Sequence, residues 1–242
     1  MTETAAPRLS VIVPAYNEAG TAETVARRLR ELPLLLEIIA VNDASTDGTG
    51  EILDRLARDG LIDRVIHHPE NRGKGAALRS GIAAATGDVV VVQDADLEYD
   101  PADLPGLLDP IRRGRADAVY GSRFQGGPHR VLFFWHAVGN HFLTLMSNMF
   151  TNLNLSDMET CYKLVRRDLL QRLPLTSDRF GFEVELTARL AQSGARIWEL
   201  PISYSGRTYA EGKKITWRDG FAALFHIMRF NLFPPGGAWR NH

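Results

Sequence analysis

Cysteine is nearly absent: one residue, Cys161, stands in a chain of 242. No internal disulfide can form, and a reducing compartment suits such a chain. Nothing around Cys161 suggests a thiol nucleophile, so it reads as a small packing residue. Neither sign of charge is in excess, with 28 Lys and Arg against 29 Asp and Glu, which removes a net-charge argument for nucleic acid. No apolar run reaches the roughly 18 residues of a membrane-crossing helix. The longest approach to one, residues 131–150, is broken by His136, Gly139, Asn140, His141, Ser147 and Asn148. Residues 1–8 are polar, lack the apolar region of a signal peptide and read as a flexible tail. There is no internal repeat, no low-complexity tract, no P-loop spacing and no pattern of a Ser-His-Asp hydrolase.

What is present is organised around residues 89–100, VVVVQDADLEYD. Four successive valines suit a strand covered on both faces. The run then changes abruptly to Asp94, Asp96 and Glu98, at the end of the strand where open α/β sheets bind ligands. Before it come two further strands, residues 9–13 stopping at Pro14 and residues 37–41, with a helix capped by Thr21 between them. A helix over 51–58, a strand over 64–68 and an alanine-rich helix through Ala85 follow. Strands alternating with helices at this spacing predict βαβ units and a mainly parallel central sheet flanked by helices. The loops after Val13, Val41 and Gln93 then share one edge, which gathers Glu18, Asp43, Asp94, Asp96 and Glu98 around one crevice. Further on, a helix over 101–113, a strand over 118–120, a helical apolar stretch over 131–153 and a helix over 182–192 are expected. A strand over 196–204 is interrupted by Pro201 and so belongs at an edge.

Crowded carboxylates are costly to bury without a cation, so a divalent metal is the natural inference, with a solvated acidic turn as the plain alternative. Asp96 and Glu98 are two apart, which in an extended chain puts both on one side. They are assigned to Mg²⁺ or Mn²⁺, and Asp94 to the nucleotide or sugar. The segment NRGKG at 71–75 reads either as an anion-holding loop with Lys74 or as a solvated turn. His67 and His68 have no ligand-like spacing and read as strand-end residues.

In their order, VIVPAYNE (11–18), VNDASTDGT (41–49), NRGKGAAL (71–78) and DADLE (94–98) resemble the inverting family 2 glycosyltransferases. GSRF (121–124), DMETCYK (157–163), RFGFEVEL (179–186) and GRTYAEGKKITWRDG (206–220) are similar to its dolichyl-phosphate mannosyltransferase branch. The resemblance implies a GT-A fold over residues 9–242 and a nucleoside-diphosphate sugar donor, GDP-mannose or UDP-glucose. It further implies a polyprenyl-phosphate acceptor. By motif, Pro14, Tyr16 and Glu18 should touch the nucleoside, Val41 and Asp43 lie beside the base, and Asp94 and Ala95 contact the donor. Asp96 and Glu98 should bind the metal, although the family often carries Gln or Asn at the position of Glu98. Arg123, Arg207 and Lys213 are the expected cationic contacts to phosphate. Asp157 either orients the acceptor or accepts a proton, or else it caps or braces the loop before Cys161.

Plain readings stand beside these. Arg123 could be a surface ion-pair former, residues 206–214 a solvated basic loop, and Glu183 and Glu185 the ordinary acids of a helix start. The apolar helices, residues 131–155 and 217–233, would dock at a membrane interface or join copies in a homo-oligomer. The expectation is an enzyme peripheral on the cytoplasmic membrane face. Its alternatives are a transferase for a soluble or polysaccharide acceptor, or a non-catalytic nucleotide-sugar-binding protein.

Overall fold

The computed structural model describes residues 7–179, 181–208 and 217–233, with only the backbone described over 217–219. Seven strands form one sheet in the order β3-β2-β1-β4-β6-β5-β7. They are β1 (Leu9–Ala15), β2 (Leu36–Asn42), β3 (Arg64–His67), β4 (Val89–Val92), β5 (Ala118–Ser122), β6 (Lys163–Arg166) and β7 (Ile197–Pro201). Only β6 runs antiparallel, to both β4 and β5. The helices are α1 (Ala22–Arg30), α2 (Thr49–Arg58), α3 (Lys74–Ala84), α4 (Leu104–Arg112), α5 (Phe134–Thr151), α6 (Arg167–Leu170), α7 (Phe182–Gln192) and α8 (Trp217–Leu232).

The strand β1 runs on through Pro14 to Ala15, two residues beyond the point where the proline was expected to stop it. The hydrogen-bond pattern explains this. Ile12 O accepts from Gln93 N and Ala15 O from Asp43 N, so even-numbered residues of β1 face β4. The pairing with β4 ends at Ile12 opposite Val92. Pro14 stays in register with Val41 of β2, and on the β4 side, where its N points, there is no ladder partner, so its missing N–H costs nothing. Thr21 precedes α1, but its side chain makes no capping bond; its hydroxyl turns back to Glu18. Pro201 does lie in an edge strand, opposite Ser122.

The valines of β4 are buried, as are Leu9, Val11, Ile12, Ile38, Ile39 and Ala40 of its neighbours. Helix α3 lies across β1 and β2, and its small residues permit the approach. A Cβ on Gly81 would sit 2.3 Å from Ile12 Cγ2. At the amino ends of these strands Glu37 is buried and accepts from Ser10 Oγ, Thr86 N (2.8 Å), Thr86 Oγ1 (2.7 Å) and Gly87 N (3.2 Å). Burial pushes its pKa up, but these donors win and hold it down at about 2. A second apolar cluster joins α7 and α8 through Val184, Ala188, Ala223, Ile227 and Phe230, with Leu143 and Met146 of α5 packed against it.

Candidate active site

The carboxyl ends of β1, β2 and β4 carry most of the left-handed non-glycine backbone among the described residues. Among the described residues, four non-glycine positions have positive φ, and three of them follow these strands: Asn17 (56°), Ala44 (58°) and Leu97 (63°). Left-handed backbone costs an L-residue about 1–2 kcal/mol, so the surroundings must hold it there. Two loops are laced together to do so, with Asn17 N donating to Ser45 Oγ (3.0 Å) and Thr46 N to Asn17 Oδ1 (2.9 Å).

After Val92 the chain turns, and residues 94–98 are not extended. Left-handed Leu97, with Glu98 N donating to Asp96 Oδ1 at 3.1 Å, brings the two carboxylates to one side by a different geometry from the one expected. Both meet Arg207. Its Nη2 lies 2.8 Å from Asp96 Oδ2, while its Nε (3.1 Å) and backbone N (3.0 Å) reach Glu98 Oε1. Tyr204 OH donates to the other Glu98 oxygen at 2.8 Å. Asp96 is only 17% exposed. Burial, followed by the charges of Asp94 and Glu98, pushes its pKa up to about 7. Acidic charge is thus in excess here even with Arg207 in place.

Behind this turn, Lys74 Nζ pairs with Asp94 (2.9 Å) and with Glu183 (3.1 Å). Burial works against its charge, yet the two carboxylates raise its pKa well above the ordinary lysine value. The NRGKG loop is solvated at Asn71 and Arg72, which are exposed, and packed from Gly73 onward. A Cβ on Gly73 would lie 2.5 Å from Asp178 O, and one on Gly75 2.3 Å from Ser177 O. The glycines admit the backbone of residues 177–178, and the lysine is spent on carboxylates. Asp43 holds the same loop, accepting from Arg72 N (3.0 Å) and Gly73 N (2.7 Å). His68 is more than a strand-end residue, because its ring bridges Asp43 Oδ1 (2.7 Å) and Ser80 Oγ (2.9 Å).

The third group centres on Arg123, at the end of β5. Asp157 receives its Nε (2.6 Å), Nη2 (2.7 Å) and backbone N (3.1 Å), and Asn140 of α5 binds both partners. The Asp157 side chain has no exposure. Burial raises its pKa, but Arg123 and the added donors carry it below the usual carboxylate range. Glu199 fixes the loop from beneath by accepting from Ser156 N and Asp157 N. The Arg123 guanidinium stands 5.2 Å from the ring centre of Tyr204, whose hydroxyl binds Glu98. One tyrosine therefore joins this partly buried cation to the acidic turn.

Residues 10–173 match the model of glycosyl transferase family 2. The chain belongs to that family. This family 2 glycosyltransferase is 33% identical to the undecaprenyl-phosphate mannosyltransferase of Micrococcus luteus over 238 residues, covering 93% of this chain and 94% of that protein. It is 31% identical to the polyprenol monophosphomannose synthase of Mycolicibacterium smegmatis over 217 residues, 85% of this chain and 80% of the other. Its fold is shared with glucosyl-3-phosphoglycerate synthase from Mycobacterium tuberculosis, solved with Mn²⁺, UDP and glucosyl-3-phosphoglycerate. There the TM-score is 0.72 at 24% identity, over 96% of this chain and 82% of that one. The mostly parallel sheet flanked by helices is the GT-A fold of the glycosyltransferases.

In this family 2 enzyme, Asp94, Asp96, Glu98 and Arg207 come together as one cluster, and Ala95 is buried within their turn. Tyr16 is exposed at the rim, with Pro14 and Glu18 partly buried beside it. Val41 and Asp43 lie deeper, Val41 fully enclosed in β2. Lys213 lies outside the described residues, as does Lys214. Hard carboxylate oxygens converging on one cationic point fit Mg²⁺ or Mn²⁺. Among the described residues no three His, Cys, Asp or Glu side chains are arranged to hold a metal alone, so the remaining ligands would be phosphate oxygens and water. Sequence reasoning missed Tyr204 and Asn140, and it gave Lys74 and Glu183 no joint role. The one available signal was that Asn140 is among the polar residues that interrupt the apolar stretch of α5.

Proposed function

We propose that this glycosyltransferase moves a hexosyl group, mannose or glucose, from its nucleoside-diphosphate carrier to a polyprenyl phosphate, with inversion at the anomeric carbon. The observation that carries the reading is the position of Arg123. This partly buried cation is linked through Tyr204 to the acidic turn and through Asn140 to α5. The outer face of α5 exposes Phe134, Trp135, Val138, Phe142, Leu145 and Met149. A phosphate-binding group thus adjoins a helix suited to lipid. The names of the two mannosyltransferase relatives support the same acceptor class.

Tyr16, Pro14 and Glu18 would wall the nucleoside, with Asp43 and Val41 shaping the floor behind it. Asp94, steadied by Lys74, would face the sugar. Asp96 and Glu98 would hold Mg²⁺ or Mn²⁺, which when bound neutralises charge on the departing diphosphate. Arg207 and Lys213 add positive charge to the same phosphates, and Arg123 receives the acceptor phosphate. Asp157 has its oxygens engaged by Arg123 and Asn140, so it positions the arginine rather than taking a proton. No strong base is required, because a phosphate monoester oxygen is already anionic near neutral pH. The chain acts at a membrane surface through α5 and α8. No described helix is long and apolar enough to cross a membrane.

The test is transfer from radiolabelled GDP-mannose or UDP-glucose, with Mg²⁺ and a polyprenyl phosphate. Label in the organic phase is expected. Turnover with water-soluble acceptors only would reject the lipid acceptor.

A further inference from the structure

The contact between Arg207 and the acidic turn carries a consequence for how the donor enters. The guanidinium bridges Asp96 Oδ2 (2.8 Å) and Glu98 Oε1 (3.1 Å), the two carboxylates assigned to the divalent cation. A planar fork in that position occupies the oxygens a hard cation would use. We propose that Arg207 is a resident stand-in for the metal: its side chain neutralises Asp96 and Glu98 when no donor is bound, and it leaves them for the diphosphate when donor and cation arrive together. The inference rests on the metal assignment made above.

Three features support an exchange of partners rather than a fixed ion pair. First, Arg207 is anchored independently of its guanidinium, since its backbone N donates to Glu98 Oε1 at 3.0 Å and Ser205 N donates to Glu98 O at 2.9 Å. The side chain can swing while the segment stays docked. Second, one guanidinium charge faces the two carboxylates of Asp96 and Glu98, Asp94 being paired with Lys74, so the pairing leaves negative charge that a divalent cation satisfies better. Third, the Tyr204 hydroxyl keeps the second Glu98 oxygen oriented at 2.8 Å, which holds the carboxylate in place once the arginine has gone. The arrangement disfavours free cation in the empty site and favours cation that comes with a diphosphate able to accept the displaced arginine.

An exchange makes opposite demands on two binding constants, which a purely structural role does not. Purified full-length protein is titrated with Mn²⁺ alone, followed by the electron paramagnetic resonance of free Mn²⁺, and then with UDP and GDP at saturating Mn²⁺ by calorimetry. Arg207→Gln should bind Mn²⁺ alone at least about fivefold more tightly than the wild type, and bind the preferred nucleotide at least about fivefold more weakly. Arg207→Lys, which keeps the charge without the fork, should fall between them in both and serves if the glutamine variant melts early. Mn²⁺ binding unchanged or weakened in both variants, with the wild-type site intact, overturns the inference alone. Wild-type Mn²⁺ binding that survives Asp96→Asn undiminished removes the metal assignment itself, and the inference with it.

Discussion

Arg123 shows how much of this site is set by side chains that sequence spacing cannot connect. Its partners Asp157 and Asn140 lie 34 and 17 positions away, and Arg207 reaches Asp96 across 111. Asp96 and Glu98 were legible because they follow a valine strand at short spacing, a pattern local in the chain. Tyr204, Lys74 and Glu183 were not, because their significance arises only when distant segments fold onto the turn. Replacing Arg123 with Ala should lower kcat for transfer to lipid phosphate by about 10²–10³-fold, the scale of losing one buried group that stabilises charge. Nucleotide affinity, measured by titration in the same variant, should change far less. Equal losses in both would place Arg123 on the donor instead.

Among the elements, β1, β2 and β4 were readable from their apolar runs, and α7 was read to the residue. The exceptions have local physical causes. The strand β1 passes through Pro14 because its neighbour has already ended, and the turn after β4 reaches the expected convergence through left-handed Leu97 rather than an extended chain. Glu37 was passed over because a lone acid at a strand start resembles any surface carboxylate. Its folded pKa near 2 lies below the ordinary 4.5, so its contribution is fully present above about pH 4.5 and is lost as pH falls towards 2. Glu37→Gln should destabilise the fold by about 2 kcal/mol at pH 7. That deficit, read from denaturant midpoints, should shrink steadily below pH 4.5. A deficit independent of pH would mean that shape, not charge, holds the three strand starts together.

For the whole molecule, the GT-A architecture follows from the alternation of strands and helices in the first half of the chain. The antiparallel β6 and the α5–α7–α8 cluster did not, since short apolar segments do not declare their partners. On the outside, α8 exposes Phe221, Phe225, Met228 and Leu232 and packs on α5, which exposes Trp135 and Phe142. We assign these faces to a lipid surface. The double variant Trp135→Glu with Phe225→Glu should lower partitioning onto polyprenyl-phosphate-containing vesicles by about tenfold or more, given roughly 1.5–3 kcal/mol for burying each large apolar side chain. Nucleotide binding in solution should be unaffected. If co-sedimentation is unchanged but the variant alone loses a dimer, the faces join two copies of the chain.

The proposed transfer depends above all on the acidic turn gripping a divalent cation together with the donor's diphosphate. Anomalous diffraction from crystals grown with Mn²⁺ and the preferred nucleoside diphosphate locates that cation directly. The predicted map has its peak between Asp96 and Glu98, with diphosphate oxygens completing the coordination. A diphosphate bound with no manganese at these carboxylates, or manganese bound elsewhere, would contradict it.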